Sequence, residues 1–173
     1  MNIIQLGNPV LRTIAKPVTN VKDANLQTLI DELIVTLTDA DGVGIAAPQV
    51  AESSRTIVVA SRPGPRYPDA PRMEPTAMIN PEIVDRSGNK VKGWEGCLSV
   101  PGIRGFVPRH RQIEVEYCDR YGQICRQVFT DFVARIVQHE YDHLEGLVFL
   151  DRVETTQDLM TEAEYQQRIV SNR

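Results

Sequence analysis

Three features that mark particular classes of protein are missing from this sequence. It has only three cysteines, an odd number, and residues 1–10 carry no export signal, so a disulfide framework is not expected and a reducing compartment is favoured. Its longest apolar runs fall far short of the roughly 20 residues that span a bilayer. Its net charge of −4 and pI near 5.4 provide no basic stripe for a nucleic-acid backbone. We therefore expect a cytoplasmic protein with no membrane segment and no direct readout of nucleic acid.

The length and composition are those of one ordinary domain. With 173 residues, 42% of them hydrophobic, the chain can bury a full core, and we see no internal repeat or linker. We expect a single catalytic domain over residues 1–173 of the α+β class, with antiparallel or mixed sheets packed around a central helix.

The apolar pattern predicts most of the elements. Helical spacing from Leu26 to Leu37 predicts an amphipathic helix that ends before Asp41, and residues 113–117 and 124–130 predict an antiparallel hairpin. Short strands are predicted at 3–6 and 147–150, and a last helix after Thr155. Five of the eleven prolines fall within residues 62–75, which predicts an irregular loop.

The most informative local pattern is His139-Glu140-Tyr141-Asp142-His143. On a helix, residues four apart lie on one face, so both imidazoles can hold one metal ion beside the carboxylate of Glu140. Apolar residues from Phe132 to Leu144 support the helix, and Gly146 stands where a left-handed residue would end it. Taken alone, this pattern also fits a histidine pair that is buried in the core and neither binds a metal nor takes part in catalysis.

A catalytic divalent site normally needs a third protein ligand. In one class of zinc proteases this ligand is a histidine six residues past the second, but Phe149 occupies that position here. Glu154, Glu162 or Glu164 would serve in a second class, and Cys97 is a further candidate. The residue pattern leaves these alternatives open.

Three separate segments resemble, in order and spacing, the signature motifs of the peptide deformylases. They are Gly42-Val43-Gly44-Ile45-Ala46-Ala47-Pro48-Gln49, Glu95-Gly96-Cys97-Leu98-Ser99 and Gln138-His139-Glu140-Tyr141-Asp142-His143. The resemblance extends over nearly the whole chain. It departs from the family pattern at Ile45, where leucine is more common, and at Asp131, where glycine is common; neither change removes a reactive group.

The resemblance implies a metal-dependent hydrolase that removes the N-formyl group from the N-terminal formyl-methionine of new polypeptides. It implies Cys97, His139 and His143 as metal ligands, with Fe(II) as the native ion and Zn(II), Ni(II) or Co(II) as substitutes. Glu140 would be the general acid and base. The Gln49 amide and the backbone N–H of Leu98 would stabilise the oxyanion.

Substrate-binding residues are expected around this centre. Missing side chains at Gly42 and Gly44 would let a peptide backbone pair with Val43-Gly44-Ile45. Further candidates are Glu95, Gly96 and Arg104 on the cysteine segment, and Val43, Phe132 and Ile136 for the methionine pocket. The expected partners are N-formyl-methionyl peptides, and the ribosome is a candidate partner through the C-terminal helix.

Two other functions are compatible with the residues. One is a zincin-type metallopeptidase that uses Glu140 with a downstream carboxylate as third ligand. The other is a non-catalytic binding module stabilised by a metal. A zincin-type peptidase would not need Cys97 to bind its metal, whereas a deformylase would. A non-catalytic binding module would be unaffected by loss of Glu140, whereas either enzyme would lose turnover.

Overall fold

A computed structural model gives the fold of residues 1–64 and 68–171. The strands, in chain order, are β1 (Gly44–Ala46), β2 (Thr56–Ser61), β3 (Met73–Arg86), β4 (Lys90–Cys97), β5 (Val100–His110), β6 (Gln112–Cys118), β7 (Ile124–Thr130) and β8 (Leu159–Thr161). The helices are α1 (Ala24–Asp39), α2 (Asp131–Leu144) and the short α3 (Glu162–Tyr165), which continues into a π-helical turn at Gln166–Val170. One sheet has the order β1-β2-β3-β6-β7 and a second has the order β4-β5-β8, both antiparallel. This is the α+β class expected from the sequence.

The five-stranded sheet lies between α1 and α2. Successive side chains of a strand point to opposite faces, so the apolar run at residues 57–60 of β2 can pack against both helices. Ile57 and Val59 pack in one cluster with Val137 of α2, whereas Val58 packs in another with Leu33 of α1. The predicted amphipathic helix over Leu26–Leu37 is confirmed as the core of α1, and the predicted hairpin is confirmed as β6 and β7.

Helix α2 carries both histidines and packs against both sheets. It contacts β1, β2, β6 and β7 of the larger sheet and β5 of the smaller one. Gly146 follows it with a φ of 71°, as predicted, and the N–H of Leu147 donates to the carbonyl of Asp142 at 2.9 Å. This Schellman arrangement satisfies carbonyls that the helix end would leave unpaired.

The predictions of short strands at 3–6 and 147–150 were wrong. The N–H groups of Ile4 and Leu6 bond to two different segments, at Gln49 and Ser99, so residues 3–6 form no ladder. In the second stretch the chain turns tightly into a 3₁₀ helix at Phe149–Arg152.

Two other segments differ in extent from their predictions. Strand β3 begins at Met73, so the last three residues of the predicted loop 62–75 are strand, and residues 65–67 lie outside the described part of the chain. After Thr155 the chain forms β8 before α3, so the predicted C-terminal helix is only a short one. Within the described residues, no helix is both long enough and apolar enough to cross a membrane.

Candidate metal centre and active site

Cys97, His139 and His143 meet in space. One donor atom from each lies within 4.8 Å of the others, and Cys97 Sγ is 3.3 Å from His143 Nε2. Cys97 ends β4, and both histidines lie in the last part of α2. The donor set combines one thiol with two imidazoles, which is suited to a borderline or soft transition-metal ion and unsuited to Mg(II) or Ca(II).

The downstream carboxylates proposed as alternative ligands are engaged elsewhere. Glu154 pairs with Lys92 at 2.7 Å, Glu162 with Arg104, and Glu164 with Arg168 at 2.5 Å. The structure therefore brings together the cysteine with the two histidines, and offers no support for the carboxylate ligand of a zincin-type peptidase.

Glu95 stands directly behind His139. The Nδ1–H of His139 donates to Glu95 Oε2 at 2.9 Å, which directs Nε2 of the ring toward the ligand group. Arg109 donates to both Glu95 oxygens, at 2.9 and 3.0 Å, and Arg135 donates to Oε1 at 2.8 Å. Burial alone would raise the pKa of Glu95, but the Arg109 guanidinium and the His139 hydrogen bond hold that pKa well below its usual range.

Glu95 was predicted to bind substrate, and the structure shows in addition a role in positioning His139. Its side chain is 4% exposed, and both of its oxygens accept hydrogen bonds from protein groups. Although Glu95 forms part of the pocket wall, its contacts orient His139.

Asp142 extends the same buried network. Its carboxylate accepts from Arg109 Nη1 at 2.6 Å and from Arg152 Nη2 at 2.7 Å. Arg109 thus joins two buried carboxylates, one on β4 and one on α2, and so ties the cysteine strand to the histidine helix. A buried charge without such partners would be strongly destabilising.

Glu140 lies beside the ligand group and is 4% exposed. Among the described residues, its Oε2 atom has no hydrogen-bond partner, and neither does Nδ1 of His143. Burial raises the pKa of Glu140 to about 7, against the opposing effect of the His139 ring. A buried carboxyl with an unused oxygen and a pKa near neutrality is suited to taking up and releasing a proton.

Space for the Glu140 carboxyl depends on Gly44. A Cβ on Gly44 would lie against Glu140 Oε1 and 2.8 Å from both Cγ and Cδ. The bare backbone of β1 therefore accommodates the carboxyl, a role that the glycine pattern by itself did not indicate.

Gln49 is buried and points at the cysteine. Its Oε1 accepts from the backbone N–H of Ala46 at 2.8 Å, and its Nε2 lies 3.2 Å from Ser99 Oγ and 3.6 Å from Cys97 Sγ. Sequence reasoning missed Ser99, whose hydroxyl fixes the Gln49 amide. The only available signal was its position inside the cysteine motif.

Cys97, His139, Glu140 and Gln49 line a cavity of about 310 Å³. Residues expected at the site that line it are Gly42, Val43, Gly44, Gln49, Glu95, Gly96, Cys97, Leu98, Arg104, Phe132, Ile136, His139 and Glu140. Trp94 and Arg135 also line it, although sequence reasoning assigned neither to the site. Within the described residues, β1 is at the edge of its sheet, which is the position where an added chain can pair with a sheet.

Ile45 is an exception among the expected substrate-binding residues. Its side chain is fully buried and packs in the cluster of α1, away from the cavity. The alternation of β1 is the reason, because Gly44 and Ala46 face α2 and the residue between them must face α1.

Comparison with known proteins agrees with this geometry. The family model for polypeptide deformylase matches residues 1–158. The chain is 64% identical to peptide deformylase 2 of Nostoc sp. over 98% of its own length and 95% of that protein, and 42% identical to peptide deformylase 2 of Bordetella bronchiseptica over 87% and 86%.

Solved structures show the same fold. The structure of a class I type b peptide deformylase from Acinetobacter baumannii with Met-Ala-Ser bound has a TM-score of 0.87 at 46% identity, covering 88% of this chain and 98% of that one. A peptide deformylase from Synechococcus elongatus in complex with actinonin has a TM-score of 0.81 at 38% identity, covering 91% and 81%. The chain therefore belongs to the polypeptide deformylase family.

Proposed function

We propose that the chain removes formate from N-formyl-methionyl peptides with a divalent metal held by Cys97, His139 and His143. Membership of the family makes it a metal-dependent hydrolase that acts on the N-formyl group. The observation that carries the site assignment is the meeting of these three donors beside a buried carboxyl with an unused oxygen.

The residues present fit such an ion. The thiol and the two imidazoles form a compact donor group, and the Glu95 carboxylate fixes the orientation of His139 from behind. We propose Fe(II) as the ion, with Zn(II), Ni(II) or Co(II) as substitutes, because this donor set suits them. When bound, such an ion supplies Lewis acidity that lowers the pKa of water from about 15.7 toward 7.

Glu140 handles the proton of the reaction. Its carboxylate takes a proton from the attacking water and later delivers that proton to the leaving amine, so that formate and a free N-terminus result. A pKa of about 7 favours both halves of this exchange near neutral pH. A general acid and base of this kind typically contributes about 10²–10⁴-fold.

Gln49 and Leu98 stabilise the negative charge that develops on the formyl oxygen. The Nε2 group of Gln49 faces the cysteine and is held by Ser99 and by the Ala46 hydrogen bond to Oε1. The backbone N–H of Leu98, directly after Cys97, supplies the second donor. Fixed donors of this kind require no reorganisation when the charge forms, and the loss of one typically costs about 10²–10³ in kcat.

The substrate backbone pairs with the edge of the sheet at β1, along residues 43–45. Methionine enters the cavity beside Val43, Phe132 and Ile136, which offer it an apolar surface. Because Gly42 and Gly44 have no side chains, the peptide can approach this strand closely.

The wider setting follows from the substrate. We propose one catalytic domain over residues 1–173 that acts in the cytoplasm, where formylated chains emerge from the ribosome. Ribosome association is part of this proposal. Its test is co-sedimentation of the full chain with ribosomes, beside a chain truncated after Val153.

Formate release from formyl-Met-Ala-Ser by the Fe(II)-loaded protein tests the function. Wild-type turnover, lost by about 10²–10⁴-fold in Glu140→Gln at unchanged metal content, would support it. No turnover by the folded, metal-loaded wild type would refute the deformylase assignment. Retention of metal and activity in Cys97→Ala would refute the ligand set and point to a zincin-type site.

A further inference from the structure

The segment after residue 158 folds back onto the wall of the catalytic cavity. Strand β8 pairs with β5 in antiparallel register, with Met160 opposite Arg104, and α3 begins immediately afterwards at Glu162. The family model matches only residues 1–158, so this segment lies beyond the matched part of the chain. Even so, Glu162 lines the same cavity as Cys97.

At least three contacts hold the Arg104 guanidinium in this wall. Its Nε donates to Glu162 Oε2, its Cζ lies 5.0 Å from the centre of the Tyr165 ring, and its Nη1 lies against the backbone of Gly96, where a Cβ would collide with it. Gly96 directly precedes Cys97. The C-terminal segment therefore contributes two of these contacts, through Glu162 and Tyr165.

We propose that Glu162 is a specificity-determining residue, which holds Arg104 against Gly96 and so shapes the wall along which the residues after formyl-methionine lie. This inference rests on the proposed function and deepens it. In the proposed function, methionine lies beside Val43 and beside Phe132 and Ile136 of α2. The part of the cavity wall formed by Arg104 and Gly96 is therefore assigned to the residues that follow methionine in the peptide.

The physical reason is the burial of the guanidinium. Arg104 is only 7% exposed, and the loss of a carboxylate partner drives a buried cation toward water or toward its other acceptors. Either movement takes the guanidinium away from Gly96 and changes the cavity wall. The Glu162 carboxylate is held in place by a hydrogen bond, since Gln166 Nε2 donates to its Oε1 at 2.7 Å.

The test compares two substrates that differ only beyond methionine. Kinetic constants for formyl-Met-Ala-Ser and for N-formyl-methionine amide are measured with the Fe(II)-loaded wild type, Glu162→Gln and Glu162→Ala. Glu164→Gln is the matched control, because it removes a carboxylate from the same short helix that pairs with Arg168 and does not line the cavity. Thermal unfolding of each variant checks that the fold is intact.

We expect Glu162→Ala to lower kcat/KM for the tripeptide about tenfold, mainly through KM, and Glu162→Gln to have a smaller effect in the same direction. For N-formyl-methionine amide, kcat/KM of both Glu162 variants should stay within about twofold of wild type. For Glu164→Gln, kcat/KM should stay within about twofold of wild type on both substrates. An equal loss on both substrates, or no loss on the tripeptide, would overturn the inference alone. No formate release by the wild type would overturn the proposed function and this inference with it.

Discussion

The close contact between Gly44 and Glu140 leads to a prediction about catalysis. A Cβ added by Gly44→Ala would lie 2.8 Å from Cγ and Cδ of Glu140, whereas carbon atoms in contact are normally about 3.5 Å apart or more. Since β1 is held by its ladder to β2 and the carboxyl is the end of a flexible side chain, the carboxyl should move. The displacement required is about 0.7 Å or more.

A misplacement of about 1 Å can cost a reaction roughly 100-fold, so Gly44→Ala should lower kcat by at least about 10². If the carboxyl swings away entirely, the loss should approach the full 10²–10⁴ typical of a general base. The substitution is made in an extended strand without a positive φ, so the unfolding temperature should change by less than about 4 °C.

The assay is formate release from formyl-Met-Ala-Ser over a range of substrate concentrations, so that kcat and KM are separated. Metal content is measured alongside, because the ligands themselves are untouched. Gly88→Ala is the matched control, as a Cβ there would meet nothing within 4 Å. A Gly44→Ala protein with wild-type kcat would refute the reasoning, since it would mean that the position of Glu140 is not critical.

Three further substitutions follow from the same geometry. Arg109→Met should destabilise the fold by about 3–5 kcal/mol in urea unfolding, because it removes the buried guanidinium that pairs with the carboxylates of both Glu95 and Asp142. Gly146→Ala should cost about 1–3 kcal/mol or more, measured the same way, because it forces a positive φ on alanine and a 2.8 Å approach to backbone of the N-terminal segment. Cys97→Ala should abolish stoichiometric Fe(II) or Zn(II) binding in metal analysis, because it removes one of three donors.

Each of these has an outcome that would contradict it. An unfolding free energy for Arg109→Met within about 0.5 kcal/mol of wild type would mean that the network is not a source of stability. An unchanged unfolding free energy for Gly146→Ala would remove the case for a left-handed helix end. Cys118→Ala, which alters a half-buried cysteine on β6, is the control for metal analysis, and equal metal loss in both cysteine variants would argue against a specific ligand role for Cys97.

The local sequence pattern predicted those elements that depend on a regular apolar period or on contacts between residues close in sequence. Helix α1 followed from apolar spacing, the β6–β7 hairpin from alternation around a turn, and the end of α2 from Gly146. The failures came where one or two contacts decide the backbone. Residues 3–6 and 147–150 look like strands by composition, but neither finds a neighbouring strand to pair with.

The burial of polar side chains also could not be predicted from the local sequence. Gln49 read alone fits a surface amide after a proline, and Asp142 fits an exposed helix carboxylate equally well. Both are buried, because α2 packs against β1, against β5 of the second sheet and against the 3₁₀ turn Ala47–Val50 that carries Gln49. Burial of a polar group depends on what packs over it, and that information is not contained in the neighbouring residues.

The sequence by itself determined that two imidazoles and a carboxyl share one face of a helix, since the spacing of four residues and the helical period are both local. Only the tertiary structure decided which third donor joins them. Cys97 and His143 lie 46 residues apart, and they meet because the antiparallel β4–β5 pair packs against α2 through the Arg109 network. Contacts of that range depend on sheet order, register and packing, which are properties of the whole chain.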